Sequence, residues 1–193
     1  MVTSTNPPYD PLSCNATERA DGEVTPRGRL TTAVVVNVVL LTMIAPLATD
    51  MYVPGFPAVG HDLQASATGV QLTLTTFFVG MALGQLAGGP TSDQRGRRRP
   101  LLASLAVMLL ASVMCALSPS IAVMMVARFV QGFSGGWAMV IGRSIVIDLA
   151  PQSRLVRALN VIQGVAGAAP IVGPLLGGLI MQYADWRLSF WVL

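Results

Sequence analysis

Two ionisable residues stand where an apolar chain tolerates them least. Asp50 lies in LATDMYVPGFP, in the outer half of the first apolar run, and Arg128 lies in ARFVQG, inside the fourth. A charge near the centre of a bilayer costs about 2.5–3.5 kcal/mol on insertion scales. Arginine keeps its charge, whereas a carboxylate takes up or releases a proton as its surroundings change. Together they read as a proton-titrating carboxylate beside a fixed cation. The plainer reading is a structural ion pair, or side chains that snorkel to the nearer face. Tyr52, Pro54 and Pro57 follow Asp50 and mark an interrupted helix end. Irregular backbone at membrane depth lines a cavity or is buried in protein. A different chemistry is suggested by Gly132-Phe-Ser134-Gly135, a G-x-S-G sequence such as intramembrane serine proteases carry. That chemistry needs a general base hydrogen-bonded to the serine. The one histidine, His61, falls in an outer loop, so the protease reading lacks its base. With one histidine and two distant cysteines, no metal site is expected.

The elements that would position Asp50 and Arg128 are long apolar runs. Of 193 residues, 53% are hydrophobic and 11% charged, and mean hydropathy is +0.63. Soluble domains carry about 25% charge, so this is a membrane composition. Runs of about 20 residues suffice to span. They extend over 30–52, 69–89, 101–117, 121–146 and 158–183, and a sixth begins at Leu188. Residues 1–29 are polar, with no apolar core before a cleavage site, and read as a disordered tail. The chain stops in mid-span at Val192-Leu193, which reads as a fragment of a longer protein or of a truncated gene.

Charge orients the runs. The stretch Gly89–Arg99, GPTSDQRGRRR, reads as a short basic loop, with Gly96 supplying a sharp reversal and Pro100 restarting a helix in its first turn. All twelve basic residues are arginine. Ten lie in the tail, in this loop, or at the segment from Arg143 to Arg157; Arg187 lies outside and Arg128 within a run. This alternation puts the N-terminus in the cytoplasm. It also explains the net charge of +3 without a nucleic-acid partner. Cys14 and Cys115 then fall in different compartments, and no disulfide between them is expected. Asn15-Ala16-Thr17 is a sequon in a cytoplasmic tail, where glycosylation is not expected.

Small residues recur at helical spacing: Gly80, Gly84 and Gly88; Gly132 and Gly136; Gly173 and Gly177. In lipid, such stripes let helix backbones approach closely. Pro46, Pro170 and Pro174 each remove a backbone donor and bend their helices. Asp93 and Asp148, at inner ends of runs near Arg95–Arg99 and Arg154, read as interfacial charges or as a network locking the inner ends of the second and fourth helices.

These residues resemble the N-terminal half of a major facilitator superfamily transporter, of the Bcr/CflA drug–proton antiporter type. GPTSDQRGRR, with Gly89, Asp93, Gly96, Arg97 and Arg98, is similar to the cytoplasmic loop signature G-x-x-x-D-[RK]-x-G-[RK]-[RK], with Gln94 departing from it. Gly173, Pro174, Gly177 and Gly178 resemble the fifth-helix antiporter signature GP-x-x-GG, with Ala169 standing upstream where glycine is common. Arg128-x-x-Gln131-Gly132 resembles the fourth-helix proton-coupling signature, and Asp50-x-Tyr52-x-Pro54 the first-helix stretch of drug antiporters.

The resemblance implies an all-α membrane protein: over 30–193, the first six-helix half of a major facilitator fold with its sixth helix incomplete. It implies inverted three-helix repeats, and a partner half that is absent. Asp93 and Arg97 would close the cytoplasmic gate with Asp148 against that missing half. Asp50 and Arg128 would couple protons, and Tyr52 and Gln131 would line the cavity. The implied function is proton-driven efflux of small amphipathic or cationic drug-like compounds across a bacterial inner membrane. No cofactor is implied beyond the proton gradient. An uptake carrier for a sugar or other metabolite, or an inactive truncated product, are the alternatives. Without its partner half, the stripe Gly80, Gly84, Gly88 and the face around Gly89 would meet lipid or a second copy.

Overall fold

A computed structural model describes residues 32–193. The expected tail, with Cys14, the Asn15 sequon and Arg19, Arg27 and Arg29, lies outside the described residues. Among the described residues there are eight α-helices and no strand. They are α1 (Thr32–Asp50), α2 (Phe56–Asp62) after a 3-10 turn at Val53–Gly55, α3 (Ala67–Arg95), α4 (Arg98–Ala116), α5 (Ile121–Leu149), α6 (Gln152–Ala166), α7 (Ala169–Tyr183) and α8 (Leu188–Val192). Four stretches have membrane length and hydropathy: Ala33–Asp62, Ala67–Ser92, Arg98–Ala116 and Ser153–Tyr183. The 29-residue α5 is as long as α3 but carries Arg128 and Gln131 in a run of mainly buried residues. It is the central helix of the bundle, packing on α3, α4 and α1.

Helix starts follow from local chemistry. Ser66 Oγ accepts from the Gly69 N–H at the head of α3, and Ser120 Oγ from the Val123 N–H at the head of α5. Each satisfies one of the donors that a helix N-terminus leaves open.

Two sequence expectations need correction. The basic stretch 89–99 is not a loop throughout. Helix α3 runs through Pro90 to Arg95, and Gly96 and Arg97 alone separate it from α4. Pro90 removes one donor, but the adjacent hydroxyls tie the turn down. Thr91 Oγ1 donates to Ala87 O (2.7 Å), and Ser92 Oγ to Gly89 O (3.0 Å). Gly96 makes the reversal at φ +76, a conformation that suits glycine. The fifth run begins earlier than expected, at Gln152, and is divided at Gly167-Ala168 into α6 and α7. Pro170 falls in the first turn of α7, where a missing N–H costs nothing, while Pro174 lies inside it.

The glycine stripes explain the packing. A β-carbon on Gly80, Gly84 or Gly88 would collide with Phe129 O, Phe133 O or Trp137 Cδ1 of α5. In return, one on Gly132 or Gly136 would collide with Phe77 O or Met81 O of α3. The α3 stripe therefore faces α5, not lipid or a second copy as anticipated. Two interlocking glycine rows bring the backbones together, which is the main source of helix attraction in lipid. Gly89, by contrast, has open space beside it.

Candidate functional site

The interrupted end of α1 organises the site. A helix C-terminus leaves carbonyls without intrahelical partners. Met51 N–H reaches Leu47 O and Tyr52 N–H reaches Thr49 O, so the Ala48 carbonyl is left over. Arg128 Nη1 of α5 donates to it at 3.0 Å and also to Gln131 Oε1 at 3.1 Å. Arg128 is 0% exposed. Its charge is balanced by the negative end of the α1 dipole and by aromatic faces. Its guanidinium carbon lies 3.9 Å from the Tyr52 ring centroid, 4.6 Å from that of Phe190 and 5.7 Å from that of Phe77. Nε and Nη2 are buried with no hydrogen-bond partner among the described residues.

A polar chain continues from there. Gln131 Nε2 donates to Ser112 Oγ of α4 (2.8 Å), which donates to Met108 O. Thr73 gives its proton to Val70 O, so the Tyr52 hydroxyl donates to Thr73 Oγ1 across 3.0 Å. Tyr52 and Gln131 are therefore interior members of this network, 2% and 0% exposed, and not cavity-lining residues as expected from the signatures.

Asp50 is placed differently from the sequence expectation. Among the described residues no carboxylate lies within ion-pair distance of Arg128. Asp50 stands two residues beyond Ala48, about 200° further round the helix, and its β-carbon faces Gly173 of α7. It borders a cavity of about 180 Å³ with Ala45, Pro46, Thr49, Phe77, Phe78, Met81 and Met139. Phe77 is common to the cavity wall and the Arg128 cage. The Thr49 hydroxyl lies 3.5 Å from Asp50 Oδ1 and 2.7 Å from Pro46 O. Gly173 and Gly177 of α7 fix the other flank. A β-carbon on Gly173 would collide with Asp50 Cβ, and one on Gly177 with Met51 O. Pro174 shares that helix, and Gly178 faces open space. The fifth-helix signature thus sets how closely α7 approaches the carboxylate.

At the opposite end, Arg97 Nε donates to Asp148 Oδ2 at 2.9 Å, joining the head of α4 to the last turn of α5. Arg97, Arg98 and Asp148 border a groove of about 360 Å³ floored by Leu101, Ile145 and Leu149. The Asp93 side chain lies outside the described residues. On the Asp50 end of the bundle, Arg187 donates to Asp62 and Asp185 and stacks on Trp186, whose indole N–H also reaches Asp62 Oδ2 at 3.2 Å. The hydrogen bond to Asp62 raises the Arg187 guanidinium above its ordinary pKa.

The model of the Major Facilitator Superfamily matches residues 38–193. The chain belongs to the Major Facilitator Superfamily. Among its curated relatives are the uncharacterized MFS-type transporter YdgK of Bacillus subtilis, 41% identical over 87% of this chain, and the bicyclomycin resistance protein homolog of Haemophilus influenzae, 36% identical over 80%. The multidrug resistance protein MdtL of Escherichia coli is 31% identical over 79%. The chain spans about two fifths of their lengths, 42%, 39% and 39% respectively. Major facilitator proteins are multi-pass membrane transporters, not enzymes. Ser134 fits that assignment. It is buried, and its hydroxyl contacts Val130 O and Gln131 O of its own helix.

Several residues of this major facilitator bundle carry no motif that sequence reading could use. Met81 and Met139 line the Asp50 cavity, and Phe77 divides it from Arg128. Phe77 and Met81 share a helix face at four-residue spacing, which was the available signal. Thr73 and Ser112 became visible as partners only through tertiary packing.

Proposed function

We propose that the chain forms the first six-helix half of a proton-coupled exporter of small amphipathic or cationic compounds. The observation that carries this reading is Asp50. It is a lone carboxylate on a cavity otherwise bordered by aromatic, methionine, alanine and proline side chains and one threonine. Such a wall accepts varied apolar shapes, because methionine and phenylalanine adapt and stack. The carboxylate supplies one negative charge, for which a proton and an organic cation compete. Binding of the cation displaces the proton, and protonation from the outer side releases the cation. Arg128 supports this without pairing to Asp50: it holds the end of α1 and so fixes where the carboxylate stands. Relatives named for bicyclomycin and multidrug resistance support export. The opposite cavity wall would come from the region of those relatives that this chain does not match. In this reading the chain lies in the bacterial inner membrane with its N-terminus in the cytoplasm. The proton gradient is the energy source, and the Arg97–Asp148 pair belongs to the cytoplasmic gate.

The test is transport by the full-length transporter in proteoliposomes. A lipophilic fluorescent cation is expected to move against its gradient when a pH gradient is imposed, and to stop when a protonophore dissipates it. Movement of substrate down its own gradient, indifferent to the pH gradient, would instead identify an uptake facilitator.

A further inference from the structure

We infer that Ser92 is a positioning residue of the inner-end ion pair: its hydroxyl helps hold the Arg97 guanidinium against Asp148. Ser92 is 1% exposed, although it lies at the inner end of a membrane-length stretch. Its proton goes to Gly89 O at 3.0 Å, so its lone pairs face away from its own helix. Arg97 Nη1 donates to that oxygen at 2.5 Å, while Nε of the same guanidinium donates to Asp148 Oδ2 at 2.9 Å. The donors of a planar guanidinium have fixed directions, so anchoring Nη1 orients Nε. Three helices meet in this one arrangement: Ser92 from α3, Arg97 at the head of α4 and Asp148 from α5.

The backbone makes the arrangement possible. Because α3 stays helical through Pro90, Ser92 is presented on a fixed turn five residues before Arg97. The Gly96 reversal folds Arg97 back over it. The preceding residue secures the same turn on α5, since Trp137 Nε1 donates to Thr91 Oγ1 at 3.0 Å. An exposed arginine–carboxylate pair contributes little by itself, because two long side chains must be held in one geometry. Asp148 is 49% exposed and Arg97 28%. A buried hydroxyl that already holds the arginine removes part of that entropic cost. The inference concerns the proposed gate but stands on the contacts alone.

The test is a double-mutant cycle on the 193-residue chain in lipid nanodiscs, read by thermal unfolding. Ser92→Ala is expected to lower Tm by roughly 2–4 °C, and Ser92→Thr to restore most of that loss. In an Asp148→Asn background, Ser92→Ala should shift Tm by less than half as much, because coupled residues are non-additive. Equal shifts in both backgrounds would mean that Ser92 only satisfies Gly89, and would overturn the inference. Transport by the full-length protein separates this from the gate. Non-additive unfolding with unchanged transport in Ser92→Ala would keep the positioning role and remove the gating one.

Discussion

Arg128→Ala is expected to destabilise the bundle by about 3–5 kcal/mol, the range for losing a large buried side chain. Two effects contribute. A void opens among Tyr52, Phe77 and Phe190, and the Ala48 carbonyl and Gln131 Oε1 lose their donor. A buried acceptor left unpaired costs about 1–3 kcal/mol. The accompanying fall in Tm should be on the order of 10 °C. Arg128→Met separates fold from function. It refills the volume and removes a desolvated charge but leaves the same two acceptors without their donor, so the expected loss is about 1–3 kcal/mol, less than for Arg128→Ala. It cannot hold the end of α1, so transport by the full-length protein should be lost while Tm falls clearly less than in Arg128→Ala. Arg128→Lys should also fail in transport, because an ammonium cannot lie flat between Tyr52 and Phe190 while donating to Ala48 and Gln131. Unfolding curves and a flux assay on the same three variants check this. Wild-type flux in Arg128→Met would remove Arg128 from the mechanism.

The second large effect is expected at the α3–α5 interface. Gly132→Leu places a branched side chain where even a β-carbon would collide with the Phe77 carbonyl. The obstacle is backbone, which no rotamer change relieves. The helices would have to separate along the row that includes Gly80, Gly84 and Gly136. That separation would also move Phe77, the wall between the Arg128 cage and the Asp50 cavity. Gly132→Leu should therefore fail to give a monodisperse, cooperatively unfolding protein. Gly178→Ala and Gly89→Ala, with nothing within 4 Å of the added carbon, should remain within about 0.5 kcal/mol of the parent. Size-exclusion profiles and melting curves distinguish the two classes. A well-behaved Gly132→Leu would show that the interlocking rows do not set the helix spacing.

The helical class and most span positions were legible because long apolar runs and arginine placement are local properties of a sequence. The glycine rows were legible as packing faces, but their partners were not. Four-residue spacing specifies a face without saying which helix meets it. The ends of elements were harder. Pro90 reads as a helix stop, yet Thr91 and Ser92 hold the turn beyond it, so the helical part of GPTSDQRGRRR was hidden. The site was half legible. Asp50 and Arg128 are conspicuous as charges in apolar runs; one borders a cavity and the other is fully buried. Their direct pairing was a natural guess that helical phase defeats, since Ala48 rather than Asp50 meets Arg128. Tyr52 and Gln131 carry motif positions but serve the interior network.

The central claim is that Asp50 carries the proton exchanged for substrate. Proton release on adding a lipophilic cation to the purified full-length transporter, followed in weakly buffered solution with a pH dye, tests it most directly. The account predicts release from the wild type, and none from Asp50→Asn although that variant remains folded. Release from Asp50→Asn equal to that of the wild type would place the exchanged proton elsewhere and contradict the account.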